Sequence, residues 1–368
     1  MRILYISKFK YPDYQNDMIF HGLKSVFQKD VYESDHAAYM YKDFSNLQSL
    51  YGRGFTTYGK LDNSLSNVAD DIKDKIRHKF FDKVIYGSIQ RCEDYFEDVV
   101  TSYGKDDVIF IDGEDDNSIL SKSLKHGRYF KRELSSTSTD VTPRIVKAVK
   151  DNKLSLSADN QTFGDTARGI PKKLFVEYRI GNRKARREVY EGETLEIAAP
   201  ADEKLVIDKP HYTLVGNIFP INFCIPKALI VKKIPQKRQL YSNSIPGRGY
   251  IFDNEQDYYD DYRKSYFGLT HKKGGWDCCR HYEILMNGCI PYFPNLSDCP
   301  PLTMAKFPKD IILEANNMWG QDANPEEIKS SKEYIGLVDL LLEYTRNNLT
   351  TEAEVAYVLN PSIASCIK

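Results

Sequence analysis

The residues of this 368-residue chain with the clearest capacity for chemistry lie between Lys272 and Phe293. Two adjacent glycines, Gly274 and Gly275, follow Lys272 and Lys273 and precede Trp276, Arg280 and Glu283. A glycine turn that opens a helix leaves backbone N–H groups free at the positive end of the helix dipole, an arrangement that holds an anion. Lys272, Lys273 and Arg280 add positive charge there, so the segment reads as a site for a phosphorylated ligand, with a diphosphate against Gly274 and Gly275. Trp276 offers a ring for stacking on a base or sugar. Glu283 lies two turns further along, where a carboxylate can accept hydrogen bonds from ribose hydroxyls. Gly288 then marks a second turn, and the run from Ile290 to Phe293 reads as a buried strand.

Positioning such a segment requires a scaffold, and the rest of the chain supplies its signals. Arg2–Ser7 is a short apolar run, and Met18, Ile19, Leu23, Val26 and Phe27 follow at helical spacing. Lys83–Ser88 and Asp107–Asp112 repeat the short β-branched pattern with a helical stretch, Cys92–Tyr103, between them. Such alternation predicts a parallel sheet covered on both faces. From about Ser135 to Asp165 the chain turns rich in Ser, Thr, Asp and Asn. Lys173–Ile180 and Arg187–Tyr190 then alternate apolar with polar around Gly181-Asn182, a hairpin signature. Residues 136–212 are therefore read as a small antiparallel insertion whose one-faced strands dock on a neighbour. A second half begins near Asn222–Pro226. It holds a glycine-bearing loop over Ser242–Tyr250, a further strand over Asp310–Glu314 and helical periodicity over Pro325–Asn347.

The order Glu283, Met286-Asn287-Gly288, Ile290-Pro291, Tyr292-Phe293 resembles the nucleotide-sugar half of glycosyltransferases built from two facing Rossmann-like domains, the GT-B architecture. With Asp257–Tyr259 and Arg263–Thr270 preceding the glycines, the stretch from Asp257 to Lys309 is most similar to exostosin-type transferases. The resemblance implies an α/β protein with two Rossmann-like domains facing a cleft and the β insertion between them. The divisions it suggests are an acceptor-side domain over 1–135, the insertion over 136–212, a donor-binding domain over 213–330, and a C-terminal helix over 331–368 that packs back on the first domain. Donor binding falls to Glu283, Arg280, Gly274, Gly275, Trp276, Lys272, Lys273 and Arg263. Many retaining members carry a second glutamate eight positions before the first; that position here is Gly275, which favours inversion.

Glycosyl transfer from a nucleoside diphosphate needs charge stabilisation on the leaving phosphates and, for inversion, a base on the acceptor hydroxyl. Asp112-Gly113-Glu114-Asp115-Asp116 ends a predicted strand at the side where α/β ligands bind, so Asp112 or Asp115 is the expected base. Asp17 and His21, one helical turn apart, form a second candidate pair. Arg53, between Gly52 and Gly54, is a candidate substrate contact. The cations are sufficient for a metal-independent reaction, with a UDP- or GDP-sugar as substrate, no further cofactor, and a glycan, lipid or protein hydroxyl as acceptor. The alternative is a non-catalytic sugar- or nucleotide-binding module. A dinucleotide-dependent enzyme such as an epimerase is disfavoured, because no Gly-x-Gly-x-x-Gly follows the first strand.

Bulk properties bound the rest. The length suits two domains. Lys and Arg total 51 against 52 acids, so the net charge of −1 offers no general attraction to nucleic acid or anionic membrane. The 26 tyrosines and 18 phenylalanines suit sugar-stacking surfaces or large cores. The seven cysteines, Cys92, Cys224, Cys278, Cys279, Cys289, Cys299 and Cys366, form no disulfide framework, which predicts reduced thiols. A zinc set with His281 is disfavoured, since adjacent helical cysteines point about 100° apart. Cys278, Tyr282, Leu285 and Cys289 instead read as a core stripe. The first apolar run is too short for a secretory signal, and no run reaches membrane-spanning length. The expectation is a cytoplasmic protein, or one peripheral to a membrane.

Overall fold

Four- and five-residue apolar runs have two faces to bury, and this chain buries both by stacking them into one parallel sheet between helical layers. The computed structural model describes residues 1–165, 169–249, 251–319, 324–329 and 331–361; the side chains of Lys209 and Pro325 are outside the description, as are Tyr250 and Cys366. The first half contains β1 (Ile3–Ile6), α1 (Tyr14–Phe27), β2 (Val31–Glu33), α2 (Ile72–Arg77), β3 (Lys83–Tyr86), α3 (Phe96–Ser102), β4 (Val108–Asp112) and β5 (Arg128–Lys131). These strands lie in the order β5-β4-β3-β1-β2 and every pair is parallel. The period-2 alternation sorts their side chains. Ile3 and Tyr5 share a core with Ile19, Phe20 and Leu23 of α1. Leu4 and Ile6 share another with Ile72 and Ile76 of α2. Each such aliphatic side chain contributes about 1.5–3 kcal/mol on burial.

The insertion runs through β6 (Ser138–Asp140), α4 (Thr142–Ala148), β7 (Lys153–Ser157), α5 (Asn160–Phe163), β8 (Lys172–Ile180), β9 (Arg183–Tyr190), β10 (Thr194–Ala198) and β11 (Leu205–Leu214). Its strands are antiparallel, in a sheet β6-β11-β8-β9 and a pair β10-β7. Gly181-Asn182 makes the β8–β9 turn, with Ile180 opposite Arg183 and Gly181 at φ 56°. The strands do not depend on a neighbour for cover. Leu174, Val176 and Tyr212 bury against Leu154, Leu195 and Ile197, with Ile145 and Phe163 between helices and sheets, so the insertion has its own core.

Next, β12 (Ile218–Pro220) returns to pair in parallel with β5 and completes a six-stranded sheet. The second half follows with β13 (Gln239–Tyr241), α6 (Glu255–Arg263), β14 (Ser265–Leu269), α7 (Cys279–Met286) and β15 (Ile290–Tyr292), the strands forming a parallel sheet β13-β14-β15. It ends in α8 (Lys309–Trp319), α9 (Pro325–Lys329), α10 (Lys332–Asn348) and α11 (Thr351–Leu359). The strand expected over Asp310–Glu314 is the start of α8. A three-residue apolar run such as Ile311-Ile312-Leu313 serves either geometry, and here Ile312 and Ala315 point inward at helical spacing. Tyr334, Val338, Leu341 and Leu342 keep α10 in the second-half core. It is α11 that lies against α1: Val355 and Val358 join Ile19 and Phe20. No helix among the described residues is long and apolar enough to cross a membrane.

Gly22 of α1 lets the start of α11 approach closely, because a Cβ built there would lie 2.2 Å from the Thr351 carbonyl oxygen. Gly22→Ala is expected to cost about 1–3 kcal/mol in urea unfolding through overpacking. A change below about 0.5 kcal/mol, the range of ordinary surface substitutions, would show that the two helices are not in this contact.

Candidate functional site

The loops that leave the carboxyl ends of the parallel strands converge on a cleft of about 260 Å³ between the two halves. From the first half come Tyr14, after β1, and Asp115, after β4. The turn after β14 and the start of α7 contribute Lys273, Gly274, Gly275, Arg280 and Glu283. Six of the residues singled out from sequence are thus brought together. Tyr51, Phe223 and Tyr258, which the sequence did not single out, add aromatic walls.

The cleft is held by two consecutive residues at the end of β5. Arg132 is buried, and its guanidinium makes five hydrogen bonds, as many as it has N–H donors. Nε and Nη2 donate to the Gly113 carbonyl at 3.0 and 2.8 Å, and Nη1 donates to Glu133 Oε1 and the Asp277 carbonyl, each at 3.0 Å. Nη2 also pairs with Asp115. Glu133 accepts from the backbone N–H of Trp276 at 3.0 Å and of Asp277 at 2.9 Å. This corrects the expectation for the glycine turn: two of its amides hold a carboxylate of the protein itself. A Cβ on Gly275 would lie 2.5 Å from Glu133 Oε1, and one on Gly274 2.5 Å from Asp115 Oδ2. The paired glycines therefore admit two acidic side chains at close range. Neither has a positive φ, so chain reversal is not what requires them.

Beyond the turn, α7 begins without a side-chain hydrogen bond from its N-cap residue, Cys278. Glu283 is buried and accepts from Tyr258 OH at 2.6 Å and Thr56 Oγ1 at 2.5 Å. Arg280 is the exception among these partnered groups. Its Nε and Nη1 are buried and have no hydrogen-bond partner. Thr56 belongs to a loop from the first half in which Gly52, Arg53, Gly54 and Thr56 all have φ between 56° and 73°. For the two non-glycine residues this strain is of the order of 1–3 kcal/mol each. It is held by Arg53 Nη1 to Asp253 at 2.7 Å and by the Thr56 N–H to Glu255 Oε1 at 2.6 Å. Arg53 therefore pairs with protein, not with the cleft.

Other candidates lie elsewhere. Asp112 is fully buried and accepts from Lys131 Nζ at 2.9 Å and Gln90 Nε2 at 3.0 Å, closed off from any substrate hydroxyl. Lys272 lies 5.0 Å over the Trp276 ring. Trp276 itself packs toward Phe293, and Arg263 ties Asp260 to Asn287. Asp17 and His21 do not bond each other. Asp17 accepts from the Asp13 N–H at 2.8 Å and Tyr39 OH at 3.2 Å, and burial pushes its carboxyl up to about 8. His21 Nδ1 meets Thr351 Oγ1 at 3.0 Å, and burial pulls its ring down to about 4. At the cleft, burial pushes the Asp277 carboxyl up to about 7 against the opposing charge of Arg132. Its oxygens accept from the Phe223 N–H at 2.7 Å and Tyr282 OH at 2.8 Å. Tyr282, Leu285 and Cys289 are buried as the stripe predicts, whereas Cys278 lines the cleft. Among the described residues no group of three or more His, Cys, Asp or Glu is placed to hold a metal.

Comparison with protein-family models, with curated proteins and with solved structures found no match.

Because the folded state resists protonating His21, its contribution to stability is complete above the unfolded value of 6.5 and is lost as pH falls toward about 4. Asp17, with a raised value, acts with the opposite sign, so a variant comparison is needed to separate them. His21→Gln should reduce the acid-induced loss between pH 6.5 and 4 by up to about 3 kcal/mol relative to the parent, read from denaturant midpoints. Parallel pH profiles would show that His21 is not the group responsible.

Proposed function

We propose that the protein is a nucleotide-sugar-dependent glycosyltransferase of GT-B-like build, with the first half on the acceptor side and the second half binding the donor. The carboxyl ends of two parallel sheets turned toward one cleft are where ligands bind in α/β proteins. The observation that carries the proposal is Arg280. A guanidinium with two buried, unpartnered donors is costly to maintain, and an anion in the cleft would satisfy it. Lys273 at the same mouth adds charge for a diphosphate, and Glu283 offers its remaining lone pairs to ribose hydroxyls.

Asp115 is the base in this reading: its side chain is 63% exposed beside the cleft, and Arg132 orients it. The acceptor oxygen attacks the anomeric carbon of the donor as the bond to the diphosphate breaks. The acceptor proton passes to Asp115, and the charge that develops on the leaving diphosphate is met by Arg280 and Lys273. Both cations belong to the protein, so transfer is expected to persist in EDTA.

A second reading, a nucleotide-sugar-binding module without turnover, is favoured by one feature. Asp115, Asp277 and Glu283 each already accept a hydrogen bond from the protein. Donor hydrolysis or transfer separates the two.

Thermal unfolding with UDP- and GDP-sugars tests the site. Ligand at a hundredfold above Kd should stabilise the parent by about 2.7 kcal/mol. Arg280→Met should abolish that response yet leave the unliganded protein about as stable, because it removes two buried donors that have no hydrogen-bond partner. Asp115→Asn should keep the response and lower transfer by at least about 100-fold. The proposal fails if no nucleotide sugar stabilises the parent, or if Arg280→Met responds as the parent does.

A further inference from the structure

We infer that the acceptor is a carbohydrate and that the ring of Tyr51 is the surface on which it docks; this rests on the donor-site reading above and extends it to the other substrate. Tyr51 lines the cleft on its first-half side and is 67% exposed. Its ring meets Tyr14 edge to face at 5.9 Å, and Tyr14 OH donates to the Tyr51 carbonyl at 3.4 Å. The exposed ring is also held in place from the other side. Gly52, Arg53, Gly54 and Thr56, just beyond it, take left-handed backbone angles. Their conformation is pinned to the second half through Arg53 with Asp253 and through Thr56 with Glu255 and Glu283. A strained, doubly anchored loop that ends by presenting an aromatic face to solvent has the character of a preorganised binding surface.

The lining selects the chemical class. Among the described residues, apart from cysteine, every apolar side chain that lines the cleft is aromatic, namely Tyr14, Tyr51, Phe223 and Tyr258, and none is aliphatic. An acyl chain is best covered by aliphatic groups in a closed apolar groove. A pyranose instead has one face of C–H bonds and a rim of hydroxyls. The C–H face fits an aromatic ring, and the rim fits carboxylates beside it. Asp115 stands on the same first-half side of the cleft, so a hydroxyl of a sugar seated on Tyr51 lies toward the group assigned to take its proton.

Saturation-transfer NMR with maltotriose, cellotriose, mannotriose and N-acetyllactosamine, in the presence of UDP, is the direct test. At least one should receive saturation on the protons of a single pyranose face. Tyr51→Ala should remove that transfer and Tyr51→Trp should keep it. In transfer assays with the oligosaccharide so found, Tyr51→Ala should raise the acceptor KM about tenfold with little change in kcat, as expected for loss of one stacking contact. Retained stabilisation of Tyr51→Ala by nucleotide sugar keeps this inference separate from the donor reading. The inference is overturned if none of the four oligosaccharides binds, if Tyr51→Ala binds one as the parent does, or if Tyr51→Ala loses its response to nucleotide sugar. The last outcome would place the nucleobase on that ring. Binding of decyl phosphate in place of the sugars would also overturn it and mark a lipid acceptor.

Discussion

A buried guanidinium must have its donors satisfied, because taking its charge out of water costs several kcal/mol that only close partners recover. Arg132 meets that demand with groups from both halves of the molecule: Gly113 and Asp115 after β4, Glu133 beside it, and the Asp277 carbonyl at the mouth of α7. It also lies 4.6 Å over the Phe223 ring, at the point where the chain enters the second half. Few alternative placements of the turn Gly274–Asp277 would leave all these bonds intact. The cleft owes its geometry to this constraint, since Glu133 fixes two amides of the turn and the strand ends fix Glu133.

The same network divides the charges of the site into two kinds. Arg132 is surrounded by carboxylates and carbonyls and acts as a positioning residue. Arg280, in the first turn of α7, has buried donors without partners. Partnered groups thus build the frame, whereas Arg280, which lines the cleft near Glu283, keeps two buried donors without hydrogen-bond partners. The strained loop from Tyr51 to Thr56 follows the same logic, for its left-handed residues are retained by an ion pair to Asp253 and by hydrogen bonds to α6 and α7 while its aromatic ring is left exposed. Stability has been given up at Arg280, Arg53 and Thr56 around one cleft, which is the pattern of a binding site.

Much of this was legible in the sequence because the physics was local. The β-branched runs at Ile3–Ile6, Lys83–Tyr86 and Val108–Asp112 have one economical use, a parallel sheet covered on both faces, and Gly181-Asn182 between alternating runs marks a hairpin. Glycine next to glycine before α7 drew attention to the right turn, read there as an anion site, and Lys273, Arg280 and Glu283 do line the cleft. What approaches the glycines could not be read locally, since Glu133 lies more than a hundred residues away. Arg132-Glu133 immediately after a strand carried the same positional signal as Asp112 and could have been flagged by it. Asp112 shows the limit of that signal: a residue at a strand end turns inward as easily as outward, and Lys131 on the next strand drew it in. Asp17 and His21 had the right spacing on α1, but the helix face that carries them is covered, on one side by Tyr39 and on the other by α11. The run at Ile311-Ile312-Leu313 was simply too short to distinguish strand from helix.

A crystal structure with a UDP-sugar bound would show what satisfies Arg280. Diphosphate oxygens are expected within hydrogen-bonding distance of Arg280 Nε or Nη1, with Glu133 still on the amides of Trp276 and Asp277. A ligand bound elsewhere, with Arg280 still lacking a partner, would contradict the proposal.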